Sequence, residues 1–213
     1  MKKVTIVDYG LGNTMSVKRG LEHVGAEISL SSDPGELARA DKLLLPGVGA
    51  FGNGIGRLRE SGMEEALKEF VDTGKSLLGI CLGMQMLMDF SEEYGEHRGL
   101  GFIPGVVMKI PQQESGKRVR NIPHIGWSAL VKPPVCNGGS KSLLENMKEE
   151  QYYYFVHSYM VVPEDSAHLL AQCEYEGLKI AAAIKSENVT GLQFHPEKSG
   201  ELGLDILRGF VSD

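Results

Sequence analysis

The chain has 213 residues, 42% of them hydrophobic, which suits a single domain, residues 1–213, with a full core. Its formal net charge is -6 and no basic block is present, so nucleic acid is not expected as a partner. No signal peptide or apolar run near the roughly 20 residues of a membrane span is seen, and the cysteines are three and scattered, so a cytoplasmic protein is expected.

The first half of the sequence alternates strand and helix patterns. Asn13 is expected to cap the first helix. This alternation predicts an α/β fold whose mostly parallel central sheet is flanked by helices on both faces. Strands are predicted at residues 4–8, 26–30, 42–45 and 76–80, and helices at residues 13–24, 54–60, 63–72 and 82–90.

The second half reads as shorter strands with turn residues between them, which predicts a mixed or antiparallel extension of the sheet. Polar segments at residues 112–121 and 133–142 are expected to be surface loops. Strands are predicted at residues 100–110, 127–131, 151–162, 169–175, 179–185 and 189–194, followed by a helix at residues 200–211.

Cys81 lies where a predicted strand turns sharply into a predicted helix, which is the layout of a nucleophile elbow. Gly79 and Gly83 lack the Cβ atoms that would crowd a strained residue at the apex. The helix N-terminus favours a thiolate and offers N–H groups to an oxyanion. The sequence therefore predicts a cysteine nucleophile, with a buried cysteine between packing glycines as the alternative. Cys136 and Cys173 lack this context and are interpreted as structural.

A cysteine nucleophile needs a base, and His195 is the best candidate. It follows a predicted strand, and Glu197 lies two residues further on, where its carboxylate can fix the imidazole tautomer. A histidine at the end of a strand is often structural, so it is the pairing with the cysteine elbow that points to catalysis.

Together these segments resemble the class I (triad) glutamine amidotransferases over nearly the whole chain. The blocks at residues 45–51, 123–127 and 154–159 narrow the resemblance to the glutaminase subunits of imidazole glycerol phosphate synthases. The resemblance implies the class I glutamine amidotransferase-like fold and neither a cofactor nor a metal. The matching blocks are residues 8–13, 45–51, 79–85, 123–127, 154–159 and 191–198.

The resemblance implies a Cys-His-Glu triad for the hydrolysis of glutamine to glutamate and ammonia, formed by Cys81, His195 and Glu197. For Glu93, the alternative to a role in binding glutamine is a solvated acid at the end of a helix. His157 is expected to be a hydrogen-bonding histidine rather than a second base. The implied oxyanion donors are Leu82 with Val48 or Gly49, and the implied glutamine contacts are Gln85, Glu93, Ser158 and Tyr159.

The resemblance also implies a heterodimer in which a (β/α)₈-barrel cyclase covers the site and receives the ammonia. Asn13, Trp127 and Lys198 are expected at that interface, although Trp127 has an equal alternative as a core aromatic residue. The family usually has Asn after Gly-Trp where this chain has Ser128, and residues 51–54 are also similar to those of paralogues that feed ammonia to surface-polysaccharide or nucleotide-sugar amidation, so such a paralogue remains an alternative. A non-catalytic or peptidase-like protein with a cysteine elbow is the alternative of another class.

Overall fold

A computed structural model describes residues 3–114, 117–133, 143–145 and 150–213. Cys136 and most of the predicted loop at residues 133–142 lie outside these residues. Short 3₁₀ turns are present at Ser166–His168 and Pro196–Lys198. The helices and strands are β1 (Lys3–Val7), α1 (Thr14–His23), β2 (Glu27–Ser31), α2 (Pro34–Ala38), β3 (Leu43–Leu45), α3 (Phe51–Glu60), α4 (Met63–Asp72), β4 (Leu77–Ile80), α5 (Leu82–Met86), β5 (Met88–Ser91), β6 (His97–Arg98), β7 (Ile103–Lys109), β8 (Gln113–Glu114), β9 (Lys117–Arg118), β10 (His124–Val131), β11 (Tyr152–His157), β12 (Tyr159–Pro163), β13 (Leu169–Tyr175), β14 (Leu178–Ser186), β15 (Val189–Leu192) and α6 (Gly200–Ser212).

The main sheet of the described residues has nine strands in the order β11-β10-β13-β14-β15-β4-β3-β1-β2. Strands β15, β4, β3, β1 and β2 pair in parallel, whereas β11, β10, β13, β14 and β15 pair antiparallel. This confirms the predicted parallel core with an antiparallel extension. Because β1, β3, β4 and β15 are parallel, the segments that follow them meet at one edge of the sheet.

Helices cover the parallel strands on both faces, as predicted. In β1, Val4 and Ile6 pack with residues of α1 and α6, whereas Val7 packs on the other face with residues of α3 and α4. This alternation follows from the two-residue period of a strand, and because both faces are covered, the central strands β3 and β4 are buried at every position. No helix among the described residues is long and apolar enough to cross a membrane.

The helix predicted at residues 82–90 is wrong in its second half. Helix α5 ends at Met86, and residues Met88–Ser91 form β5 in a second sheet of order β12-β7-β5-β6. The carbonyl of Leu87 accepts hydrogen bonds from Phe102 and Ile103 rather than from a further helical turn. The apolar sequence of residues 84–88 is compatible with either a helix or a strand, and hydrogen bonding to a distant segment determines which one forms.

Two other predictions at the antiparallel end need correction. The single strand predicted at residues 151–162 is two strands, β11 in the main sheet and β12 in the second sheet, and the chain crosses between the sheets at Ser158. The predicted loop at residues 112–121 contains the paired strands β8 and β9. Short helix α2 was not predicted; Asp33 caps it by accepting a hydrogen bond from Glu36 N–H.

Candidate active site

Cys81 sits at a strained turn between β4 and α5. Its φ of 55° and ψ of -111° lie in a region that non-glycine residues rarely adopt. The flanking glycines explain how the turn is accommodated: a Cβ added to Gly79 would lie 2.8 Å from the carbonyl carbon of Gly83, and one added to Gly83 would lie 1.9 Å from the Leu45 carbonyl oxygen, a severe steric overlap. Strand β4 and helix α5 therefore approach each other at two glycines with no side chain between them, and this close approach holds the Cys81 thiol at the apex of the turn.

His195 and Glu197 form a buried pair immediately after β15. His195 Nδ1 lies 2.8 Å from Glu197 Oε1, and the two side chains are 4% and 1% exposed. Burial alone would lower the pKa of His195, but its interactions with Cys81 and then Glu197 outweigh burial and raise the pKa to about 9. The carboxylate thus favours the tautomer with hydrogen on Nδ1 and the imidazolium form, and Nε2 makes no hydrogen bond within the described structure.

A cavity of about 360 Å³ opens beside Cys81. Most of the predicted site residues line it, and Glu197 lies behind His195. Pro123, Val156 and His157 also line it, and sequence reasoning did not assign them to the site. The predicted residues that line the cavity are Val48, Gly49, Cys81, Leu82, Gln85, Glu93, Ser158, Tyr159 and His195.

The loop after β3 is packed against the start of α5, where the oxyanion donors are predicted. Tyr9 donates its hydroxyl hydrogen to the Pro46 carbonyl at 2.8 Å, and a Cβ on Gly47 would lie 2.7 Å from Leu82 Cβ. Gly49 has a φ of +97°, in the region that favours glycine. The loop therefore has one fixed side, at residues 46–47, and a conformationally free residue beside the cavity.

Glu93 is a buried carboxylate, 8% exposed, so its interpretation as a solvated acid is wrong. Its Oε2 accepts a hydrogen bond of 2.6 Å from the N–H of Phe51, the first residue of α3. A carboxylate at a helix N-terminus is stabilised by the helix dipole. This contact extends α3 three residues before the predicted start at residue 54, and it holds the carboxylate at the cavity wall.

Gln85 is buried and takes part in a chain of hydrogen bonds that ends at the nucleophile. Its Nε2 donates to the Tyr159 carbonyl at 3.2 Å and to Gln193 Oε1 at 3.1 Å. Gln193 Nε2 in turn lies 3.8 Å from Cys81 Sγ. Sequence reasoning missed Gln193; the available signal was one amide within the apolar strand pattern that ends at Phe194.

Two buried histidines connect β10 with the cavity wall. His124 Nδ1 lies 3.0 Å from His157 Nε2, and His157 Nδ1 lies 2.8 Å from the Tyr159 carbonyl oxygen. Burial lowers the pKa of His124 to about 4 and that of His157 to about 3, so both are neutral near pH 7. His157 is therefore a hydrogen-bonding histidine, in line with the sequence prediction, and not a base.

The three predicted interface residues are exposed outside the cavity. Trp127 is 54% exposed, so its interpretation as a core aromatic residue is wrong. It meets Tyr154 edge to face, and the Lys198 ammonium lies 5.9 Å from the centre of the Tyr154 ring. The Asn13 side chain caps α1, as predicted, by accepting a hydrogen bond from Ser16 N–H.

The sequence comparisons identify the family. The model described as "Glutamine amidotransferase class-I" matches residues 5–213, so the chain belongs to the class I glutamine amidotransferase family. It is 44% identical over 211 residues, 99% of each chain, to a Legionella pneumophila (strain Lens) protein named imidazole glycerol phosphate synthase subunit HisH 1. It is 45% identical over 210 residues, 98% of this chain and 96% of the relative, to the HisH subunit from Geobacillus sp. (strain WCH70).

Solved structures support the fold alone. A structure described as PurLQS from Thermotoga maritima superposes with a TM-score of 0.73 at 21% identity, and the match covers 100% of this chain and 99% of that one. Another described as glutamine amidotransferase gives a TM-score of 0.71 at 18% identity, covering 99% of each chain. Together with the family match, these confirm the predicted fold class.

Proposed function

We propose that this protein is the glutaminase subunit of an imidazole glycerol phosphate synthase, hydrolysing glutamine and passing ammonia to a cyclase subunit in histidine biosynthesis. The observation that carries the proposal is the cavity beside a strained cysteine, with a buried His-Glu pair on its wall. Relatives 40 to 45% identical over nearly the whole chain carry that subunit's name, which supports the same reaction here.

Cys81 as a thiolate attacks the amide carbon of the glutamine side chain. His195 then protonates the leaving nitrogen, ammonia departs, and a thioester remains on Cys81. The neutral imidazole next takes a proton from the water that attacks the thioester, glutamate is released, and the thiolate–imidazolium pair is restored. The raised pKa of His195 suits the first step, because the imidazolium is present at neutral pH to supply the proton.

The oxyanion of each tetrahedral intermediate needs donors close to the sulfur. The N–H of Leu82 is one, because the first residue of α5 has no intrahelical acceptor. The second comes from Val48 or Gly49, which line the same cavity. The N–H groups of Val48 and Gly49 donate no hydrogen bond to any described residue in this conformation. A peptide beside Gly49 can turn at little steric cost, so the partner can set its orientation.

The substrate's charged groups find complementary partners in the cavity wall. The buried Glu93 carboxylate is the group for the substrate ammonium. The carbonyl oxygens of Ser158 and Tyr159 already accept hydrogen bonds, from Ile110 N–H and from Gln85 and His157. Carbonyl and carboxylate oxygens both only accept hydrogen bonds, so contact with the substrate carboxylate falls to backbone N–H groups at the crossing between the two sheets.

The cyclase would dock on an apolar face beside the cavity. We call it the ribbon face, and it consists of the outward side chains Ile125, Trp127, Val131 and Tyr152 of β10 and β11, each more than half exposed. Ile125 pairs with Val156, which lines the cavity, so this face is continuous with the cavity mouth. Exposed apolar patches of this kind mark interaction sites. A (β/α)₈-barrel seated here, with Lys198 paired to one of its carboxylates and Asn13 at the rim, would keep ammonia from solvent.

Ser128 does not argue for another ammonia acceptor. Its hydroxyl lies 3.0 Å from His124 Nε2, so it acts inside the protein as a donor to the buried histidine pair. The usual Asn carries an amide N–H that can serve the same acceptor. The replacement therefore keeps a hydrogen bond and leaves the cyclase as the proposed acceptor.

The test measures glutamate release by the purified chain with and without the cyclase subunit of the same organism. We expect slow release by the chain alone, a large stimulation by cyclase with its substrate, and rescue of a histidine auxotroph that lacks the subunit. Lys198→Ala should weaken the stimulation more than it changes KM for glutamine, with exposed Lys179→Ala as control. Glutaminase activity without complementation by a soluble protein supplied with its own cyclase would favour the sugar-amidation paralogue.

A further inference from the structure

Gln193 is a fully buried amide beside the nucleophile that the triad chemistry does not use. It follows β15, two residues before His195, and is 0% exposed. Its Nε2 lies 3.8 Å from Cys81 Sγ, within hydrogen-bond range for sulfur. Burying a side-chain amide destabilises the folded protein unless both its oxygen and its NH₂ group are hydrogen-bonded. Both ends of Gln193 have partners, and one of the two is the reacting atom.

Hydrogen-bond directions decide which end of the amide faces the sulfur. The Tyr159 carbonyl oxygen can only accept, so the Gln85 atom 3.2 Å from it must be the NH₂ group. The second hydrogen of that NH₂ is donated to Gln193 Oε1 at 3.1 Å. With its oxygen committed to Gln85, Gln193 turns its own NH₂ toward Cys81 Sγ.

The starting point of this chain is itself held in place. The Tyr159 carbonyl also accepts from His157 Nδ1–H at 2.8 Å, which leaves His157 Nε2 to accept from His124 Nδ1–H at 3.0 Å. His124 Nε2 then accepts from the Ser128 hydroxyl at 3.0 Å. The Tyr159 carbonyl oxygen therefore accepts from both His157 and Gln85, and these contacts hold the Gln85 amide that orients Gln193.

We infer that Gln193 is a further catalytic residue, whose amide N–H donates to Cys81 Sγ and stabilises the thiolate that attacks glutamine. Gln85 and Tyr159 act as positioning groups for it. The inference rests on the proposed glutaminase function and adds a donor to it. The donor is needed because the Val156 carbonyl lies 3.9 Å from Sγ, where it accepts from a thiol but repels a thiolate. A hydrogen bond to an ionised acceptor is roughly twice as strong as a neutral one.

The test compares Gln193→Met, which keeps length and volume without a donor, with Gln193→Asn, which keeps the amide but withdraws it by one methylene. Thr190→Val is the control, because Thr190 is also buried and lies on β15, the strand that Gln193 follows, away from the cavity. The probe is iodoacetamide at pH 7, with Cys81 labelling followed by mass spectrometry. Cys173 is the internal reference, since burial raises its pKa to about 12.

We expect both Gln193 variants to be alkylated at Cys81 roughly tenfold more slowly than wild type, and Thr190→Val to match wild type. Glutaminase kcat should fall by a similar factor with KM for glutamine changed less than about twofold. Alkylation rates within twofold of wild type in either folded variant would overturn the inference. If Gln193→Met does not fold, the Asn variant decides. Alkylation does not depend on glutamine hydrolysis, so inactive wild-type protein would count against the proposed function alone.

Discussion

Gly83→Ala tests the claim that the elbow depends on a close approach of two backbones. The new Cβ would lie 1.9 Å from the Leu45 carbonyl oxygen, whereas real Cβ contacts essentially never fall below 3.0 Å. The end of β3 or the start of α5 must therefore move by about 1 Å. Backbone atoms yield less easily than side-chain ends, so we expect a loss of at least about 3 kcal/mol in the free energy of unfolding, the upper part of the usual overpacking range.

The assay is urea-induced unfolding monitored by circular dichroism, with Gly56→Ala as the matched control. A Cβ on Gly56 meets nothing within 4 Å on α3, so the control should gain about 0.5 to 1 kcal/mol from helix propensity. Leu45 directly precedes the loop at residues 46–49, so any folded Gly83→Ala protein should also lose about 100-fold in kcat. Unfolding midpoints of Gly83→Ala and wild type that agree within error would refute the reasoning.

Three further predictions concern catalysis and titration. Cys81→Ala should abolish glutamate release and keep the fold. A glutamine-derived electrophile should label Cys81 in the wild-type protein, as measured by mass spectrometry, and label mainly on Cys173 would contradict the assignment of the nucleophile. Glu197→Gln should lower kcat less than His195→Ala does, because the imidazole stays in place and loses only charge support; equal losses in steady-state assays would oppose this role. Burial lowers the pKa of His157 from 6.5 to about 3, so the unfolded chain takes up its proton first as pH falls. The contribution of neutral His157 to the free energy of unfolding is therefore complete above pH 6.5 and falls by about 1.4 kcal/mol per pH unit toward pH 4. Urea titrations at several pH values should find a smaller slope in His157→Asn.

The sequence predicted the parallel core well because local and tertiary preferences agree there. Residues 4–7 of β1 and all of β4 are buried, as expected of mostly apolar strands covered on both faces, and the glycines around Cys81 mark the turn. At Met84–Met88 the two preferences are not separable locally, and pairing of Leu87 with Phe102 and Ile103 decided the structure.

The site was predictable where a residue's type carries its chemistry, and less so where long-range pairing sets its surroundings. The cysteine, the His-Glu pair and most of the lining residues were named from motif and resemblance, and the structure brings them together at one cavity, with Glu197 behind His195. The burial of Glu93 and the amide chain through Gln193 depend on contacts across 42 and 108 residues of sequence. The exposure of Trp127 likewise follows from its position on the outer face of β10.

Gly49→Ala tests whether the oxyanion loop is a switch. Gly49 has a φ of +97° and open space around its Cα, so an added Cβ meets no neighbour and acts through the backbone alone. Alanine disfavours positive φ by roughly 1 to 2 kcal/mol, which biases the loop toward the other peptide orientation. If the present orientation is the resting one, the isolated variant should release glutamate about 5- to 30-fold faster than wild type and be stimulated less by the cyclase. Gly25→Ala is the control, since Gly25 has a φ of +83° in open space after α1, away from the cavity. A lower basal rate with undiminished stimulation would show that the loop already holds its donor in place, and that the partner acts elsewhere.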